Sequence, residues 1–526
     1  MRNFEMPGRS EAFGTKGMAA TSVPQATLVA LDVLKTGGNA IDATIAAAAM
    51  LAVIEPTQTG IGGDCFALIK RRNQKVVAIN GSGWSPLAAD PDRCARVGGL
   101  IDPRSADAVT VPGALRAWHR LWCDFGSLPW EDLFRPAIAA AQDGYPVTER
   151  LARDWALQID KLAASSETAE VFLQDGKAPA AGAIVRNSRL AKALASIATD
   201  GPEVFYEGWI AEDIVSTLRA LGGVHSLEDF RDYCPAYVEP ISTEYRGYRI
   251  WECPPSGQGI IVLAMANVLS RFDVAAMDPL GPERLHLLAE VARLAYAERD
   301  LLVADPAFGP VPVSNLLSPE RADRMAASIR FNARLAEIAP IVEPPHKDTT
   351  YLTVVDREGT AVSFINSIFD DFGSGIMARD SGILLHNRAC GFVLDRANVN
   401  CLEGRKRPMH TIIPAIVTKN DEAFMTLGVT GAHFQPIGQI QVLSNVIDYG
   451  MTVQAAIDHP RVFAHGDVLH VESTIPETCR TALAALGHKP EPAPHPLGTA
   501  QAIRIEPTGL LRGGADPRRD GVALGY

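Results

Sequence analysis

The stretch DTTYLTVVDREGTAV, residues 348–362, decides how the rest of the chain is read. Tyr351 to Val355 and Ala361 to Ile365 are rich in β-branched and aromatic residues, and Asp356-Arg357-Glu358-Gly359 between them is a turn sequence, so the segment is expected to be a pair of strands. Just upstream, IAPIVEPPHK at 338–347 carries Pro340, Pro344 and Pro345, which remove backbone donors and resist regular structure. An exposed, cleavable peptide would then end where a strand begins. A threonine released at that point can use its own α-amine as the base for its hydroxyl, with no Ser-His-Asp triad. Thr349 stands there, although a threonine is also simply a good strand residue.

Outward from this segment, the 526 residues are 47% hydrophobic and 21% charged, the make-up of a globular protein with a large core. No Ser/Gly-rich or charge-block linker divides them, so one large unit is expected. A net charge of −12 argues against nucleic acid, whose binding needs clustered Lys and Arg. The only compact basic run, Arg405-Lys406-Arg407, precedes Pro408 and reads as a solvated loop. The amino-terminal residues lack the apolar stretch of a secretory signal, which points to a cytoplasmic location. Ala43 to Ile54 is too short for the roughly 20 residues that span a bilayer and reads as a buried helix, so no membrane is expected as a partner.

Helical patterns cover Gln25 to Leu34, Ile41 to Ile54 and most of the chain from Gly113 to Arg330, including Ala114 to Phe125 and Pro282 to Leu302. Strand patterns cover Phe66 to Lys70, Lys75 to Ile79, Ile412 to Lys419, Ala423 to Thr430 and Ala500 to Ile505. Helices on a mixed sheet follow, an α/β arrangement. The eight cysteines show no CxxC or finger spacing and read as reduced thiols. His465 and His470 come with no ligand set, so neither a metal nor an organic cofactor is expected. GIGG at 60–63 fits neither phosphate-loop pattern and reads as a structural turn; Cys65, inside an apolar stretch, reads as core.

Beyond the strand pair, GGNAIDA (37–43), EPTQTGIGGDCF (55–66), AVTVPGALRAW (108–118), PPSGQG (254–259), HLLAEVARLAYAERDLLVADPAF (286–308), FGSGIMARDSGILLHN (372–387), RKRPMHTIIPAIV (405–417) and DPRRDGVALGY (516–526) run in one order. Together with 348–362 they resemble the γ-glutamyltranspeptidases, which are N-terminal-nucleophile hydrolases. The resemblance implies a four-layer αββα sandwich made as a precursor and cut between Asp348 and Thr349. It implies a large subunit, 1–348, and a small subunit, 349–526, that remain associated; a homodimer of processed protomers is compatible with it. Thr349 would be the nucleophile in both maturation and turnover, Ser367 the second hydroxyl beside it, and Gly431 and Ala432 of GVTGAH (428–433) the backbone donors to the oxyanion.

The sequence departs from that family where the donor's α-carboxylate and α-amine are held. The positions that match the family's Arg, Asn, Gln, Asp and Ser-Ser are Ser82, Phe369, Arg388, Gly391 and His410-Thr411. Losing the aspartate removes the ammonium's partner, whereas Arg388 adds a fork suited to a carboxylate; Arg388 reads equally as a surface residue. His410, Thr411 and His433 would complete a polar pocket that Phe369 narrows, or serve as packing. A small-molecule amide that is anionic and amine-free is the expected substrate, with oxamate first. The open alternatives are a γ-glutamyl donor and a catalytically silent paralogue that binds a small anion.

Overall fold

The computed structural model describes residues 8–336, 338 and 349–526. Asp348 and residues 339–347 of the proline-containing segment lie outside the described residues. Two seven-stranded antiparallel sheets form the centre. The first runs in the order Val522–Gly525, Met18–Thr21, Thr350–Val355, Ala361–Ser367, Asp64–Lys70, Val76–Gly81, Ala236–Val238. The second runs Ala12–Gly14, Leu511–Ala515, Ala500–Ile505, Glu422–Val429, Ala415–Lys419, Tyr248–Glu252, Ile241–Tyr245.

Strand alternation sends neighbouring side chains to opposite faces, and here both faces are buried. In the first sheet Leu352, Val354, Val362, Phe364, Ala67 and Ile69 join the helices on one outer side, while Tyr351, Ile365, Phe66 and Leu68 meet Cys253, Ile412 and Ile416 between the sheets. In the second sheet Ile250, Val417, Met425, Leu427 and Ala502 face the helices Gly259–Leu269, Pro282–Leu302 and Gln435–Ile447. The layers are therefore helix, sheet, sheet, helix, as the resemblance implied. The strand pair of 348–362 lies in the middle of the first sheet, with Thr350 opposite Asn366 and Val355 opposite Ala361. Strands that continue the sheet on either side of this pair, Met18–Thr21 and Asp64–Lys70, both come from the first hundred residues.

The helix read from Ala43 to Ile54 spans Ala40–Ile54 and is buried along its whole length. Its start is fixed chemically: the Asn39 side chain accepts from the Ile41 and Asp42 N–H groups, and Asp42 returns a bond to the Asn39 N–H. Ala114–Phe125 and Pro282–Leu302 have the expected bounds. Strands Ala236–Val238, Ile241–Tyr245 and Tyr248–Glu252 break the helical reading of the region from Gly113 to Arg330. They are short and set off by Pro235, Pro240 and Pro254, so no run of alternation was long enough to be read. The strand expected from Ile412 begins at Ala415, because Pro414 offers no ladder donor. Among the described residues no helix is long and apolar enough to cross a membrane.

Gly428 shows how closely the sheets meet. A Cβ there would come within 2.1 Å of Tyr351 Cδ2, and the Tyr351 ring is tethered by a 2.8 Å bond from its hydroxyl to Ser363 Oγ. Gly428→Ala should therefore destabilise by about 1–3 kcal/mol through overpacking. Thermal unfolding checks this, and an unchanged midpoint would mean that the ring can step aside.

Candidate active site between the sheets

Thr349 immediately precedes its strand, is 1% exposed, and faces the space between the sheets. Its hydroxyl lies 3.2 Å from Ser367 Oγ, and its N–H donates to Gln58 Oε1 at 3.0 Å. Ser367 ends the adjoining strand and accepts the Phe369 N–H at 2.9 Å, which ties the hydroxyl pair to a bend where Phe369 has φ +78°. GIGG at 60–63 is a structural turn and also a wall of this site, since a Cβ on Gly63 would meet the Ser367 carbonyl oxygen at 2.2 Å.

Ser367 is paired across the ladder with Asp64, so both side chains leave the sheet on the same face. Asp64 is the hub of the second half of the site. Its Oδ2 is 3.2 Å from Arg388 Nε, 3.2 Å from His410 Nε2 and 3.3 Å from His386 Nδ1; its Oδ1 accepts the Gly83 N–H at 2.8 Å. The four side chains are fully buried. Burial alone would raise the Asp64 carboxyl, but His386 and His410 outweigh it and hold the group far below the usual carboxylate range. Burial, with Arg388 nearby, pushes His410 down to about 3, leaving it neutral. The neutral ring must then donate from Nε2 to Asp64, and its Nδ1 accepts the Ile412 N–H at 3.4 Å.

Arg388 is not a surface residue. Its guanidinium, brought down to about 10 by burial against the pull of Asp64, stacks 4.4 Å from the Phe369 ring and donates through Nη1 to Thr411 Oγ1 at 3.2 Å. Nη2 is buried with no hydrogen-bond partner. The expected bidentate fork is thus largely committed, and among the described residues Nη2 is the one guanidinium nitrogen without a partner.

On the facing side, Gly431 (φ +103°) and Ala432 (φ +51°) form a left-handed turn, an arrangement that costs a non-glycine residue about 1 kcal/mol. Gln258 Nε2 draws the Thr411 and Ala432 carbonyls together at 2.7 and 2.9 Å, and its Oε1 accepts from Arg299 Nη1 at 2.8 Å. Among the described residues the Gly431 and Ala432 N–H groups have no acceptor. Such a pair of donors can receive charge developing on a carbonyl oxygen.

The structure thus gathers Thr349, Ser367, Phe369, Arg388, His410 and Thr411, with Gly431 and Ala432 joined through Gln258. His433 instead meets Arg299 Nη1 at 3.0 Å behind the turn. Ser82 points its hydroxyl at its neighbour's carbonyl and touches the pocket only through the Gly83 backbone. Sequence reading missed Asp64, Gln58 and Gln258; a charged residue inside the apolar run GIGGDCF was the one available signal, because a buried charge demands partners. The run Arg405-Lys406-Arg407 is also no solvated loop: Lys406 is 2% exposed and binds Glu403, Arg405 binds Asp232, and Arg407 donates to the Ser82 carbonyl.

Among the described residues, buried His286, Glu290 and His488 have metal-ligand chemistry within reach of one another. His286 Nδ1 and His488 Nε2 are 2.7 Å apart, however, which is hydrogen-bond spacing. Two nitrogens on one tetrahedral zinc would stand roughly 3.3 Å apart. Glu290 already serves Arg293 at 2.8 Å and the Leu335 N–H at 2.7 Å, so the group is a proton-sharing pair next to an ion pair.

A family model described as Gamma-glutamyltranspeptidase matches residues 26–526. The chain is 37% identical to the glutathione hydrolase-like YwrD proenzyme of Bacillus subtilis (strain 168), covering 97% of this chain and 99% of that one. It is 34% identical to the oxamate amidohydrolase proenzyme of Klebsiella pneumoniae, over 98% and 100% of the two chains. The crystal structure of cephalosporin acylase from Bacillus halodurans superimposes with a TM-score of 0.93 at 37% identity, covering 100% of this chain and 99% of that one.

Removing the hub charge should expose its cost. Asp64→Asn strands Arg388 without a counter-ion and should lose about 3–5 kcal/mol in urea unfolding, whereas adding Arg388→Met should recover much of it. Additive losses would show that the pair is uncoupled. Acid should act as well: His410 and His225, pushed down by burial to about 3 and about 4, stay neutral in the fold but protonate near 6.5 when unfolded. The unfolded chain then binds more protons, so the melting temperature should fall as pH drops below about 6.5, and His225→Gln should flatten that fall.

Proposed function

The chain belongs to the gamma-glutamyltranspeptidase family and is an amide hydrolase, and from that premise we propose that it is a self-processing enzyme with Thr349 as nucleophile and oxamate as its preferred donor. In maturation the Thr349 hydroxyl attacks the carbonyl of Asp348; the peptide C–N bond breaks as an ester C–O bond forms, and water hydrolyses the ester. This leaves a large subunit, 1–348, and a small subunit, 349–526, held together by the shared sheets.

In turnover the free α-amine of Thr349 takes the proton from its own Oγ1, with Ser367 Oγ at 3.2 Å keeping that oxygen in place. The oxygen adds to the donor amide carbonyl, and the Gly431 and Ala432 N–H groups receive the oxyanion. The proton passes to the leaving nitrogen, ammonia departs, and the same amine then activates a water to release the acid from the acyl-threonine.

The observation that carries the choice of donor is the cross-strand pairing of Ser367 with Asp64, which holds Arg388 at 3.2 Å. An anion bound by Arg388 would lie on the same face of the sheet as the hydroxyl pair, which favours an amide whose carboxylate is next to the attacked carbonyl. Oxamate has that shape. A γ-glutamyl donor would need an acceptor for its ammonium, and Asp64 already shares its charge with Arg388, His410 and the Gly83 N–H.

Intact mass and amino-terminal sequencing of the wild type should find a fragment that begins Thr349-Thr350-Tyr351. Thr349→Ala should remain one chain and lose turnover by about 1,000-fold or more. An uncut Thr349→Ala chain with full activity would overturn the nucleophile, and faster hydrolysis of a γ-glutamyl anilide than of oxamate would overturn the donor.

A further inference from the structure

Gln58 follows the Ala40–Ile54 helix in a turn pinned at both backbone ends: its N–H donates to the Glu55 carbonyl at 3.0 Å, and its carbonyl accepts the Ile368 N–H at 3.3 Å. Its side chain, 1% exposed, bridges two groups of opposite kind. Oε1 accepts from the Thr349 nitrogen at 3.0 Å, and Nε2 donates to Asp371 Oδ1 at 3.0 Å. A carboxylate only accepts and an N–H only donates, so one of the two amide orientations satisfies both neighbours. Asp371, 4% exposed, is held in turn: Gln158 Nε2 donates to its Oδ2 at 3.2 Å, and Lys161 Nζ donates to its carbonyl at 2.6 Å.

We infer that Gln58, with its amide orientation locked by Asp371, is the residue that positions the α-amine of Thr349 as the catalytic base. The inference rests on the reading of Thr349 as an amino-terminal nucleophile. Once the bond ahead of Thr349 is cut, rotation about its N–Cα bond is restrained only by what the amine touches. Holding one N–H on Gln58 Oε1 limits the directions in which the lone pair can point and keeps it available to Oγ1 of the same residue. The acceptor is also uncharged, so it favours the ammonium less than a carboxylate in its place would, which suits a base acting near neutral pH.

Among the described residues, the charged groups linked to the amine's surroundings include Asp371 behind Gln58, Lys161 beyond it, and Glu55, which accepts from Thr350 Oγ1 at 2.8 Å and lies 3.6 Å from Arg519. Gln58 is thus a neutral spacer between the amine and the Asp371 carboxylate.

The test compares processed wild type with Gln58→Met, Asp371→Ala, Asp371→Asn and the double variant Gln58→Glu/Asp371→Asn. Each is checked by mass for the Thr349 terminus and then assayed for kcat, KM and the pH profile of kcat/KM on the donor amide the wild type turns over. Gln58→Met should lower kcat about 10-fold or more with KM within about twofold, and should move the acid limb to lower pH because the ammonium has lost an acceptor. Asp371→Ala should lower kcat similarly; Asp371→Asn should restore most of it, since an asparagine carbonyl still receives Gln58 Nε2. The double variant, which places a carboxylate on the amine, should move the acid limb to higher pH, and it provides the readout if Gln58→Met fails to fold. Processed Gln58→Met and double variants with an unmoved acid limb would overturn the positioning role even if kcat falls. A wild type lacking the Thr349 terminus would overturn the nucleophile reading on which it rests.

Discussion

A carboxylate that no water can reach must be surrounded by donors or give up its charge, and Asp64 is such a carboxylate. It keeps the charge by collecting Arg388, His410 and His386 from the later part of the chain and the Gly83 N–H from the earlier part. Phe369, Thr411 and, through Gln258, the Gly431–Ala432 turn are fixed in sequence from that hub. Because Asp64 sits opposite Ser367, the same ladder that builds the first sheet also sets the distance between the hydroxyl pair and the guanidinium.

The sandwich explains why such polar groups can be held so still. Apolar packing closes the outer face of each sheet against helices, and the space between the sheets is filled by Phe66, Leu68, Tyr351, Ile365 and Ile416. Polar side chains enter that space within strands, where Thr353 meets Thr426 and Tyr351 meets Ser363, and where strands end, at Asp64, Ser367 and Thr349. At those ends each one is pinned by a backbone or side-chain partner rather than by solvent, so few side chains need to move when charge develops.

Much of this was legible in the sequence, for identifiable reasons. The strand pair at 351–365 announced itself by β-branched residues around an Asp-Arg-Glu-Gly turn, and the Ala40–Ile54 and Pro282–Leu302 helices by long periodic runs. Thr349, Ser367 and the 431–432 turn were reached through collinear motifs. The hub was not legible, because Asp64 meets Arg388 across 324 residues of chain and nothing local marks either as a partner. Arg388 read as readily as a surface residue for the same cause. Gln58 was hidden more deeply: a glutamine in a turn carries no signal until its two neighbours, Thr349 and Asp371, are known.

The interleaving of the first sheet reaches beyond the molecule itself. The strand Met18–Thr21 is enclosed between Val522–Gly525 and Thr350–Val355, and Ala361–Ser367 is followed by Asp64–Lys70, so pieces from either side of Thr349 are interleaved. A chain cut there would yield two polypeptides that neither part nor trade partners without unfolding. Each precursor would therefore supply both of its own subunits, and the two chains of one protomer would come from one translation product. The gene would stay a single unit of inheritance although its product is two chains.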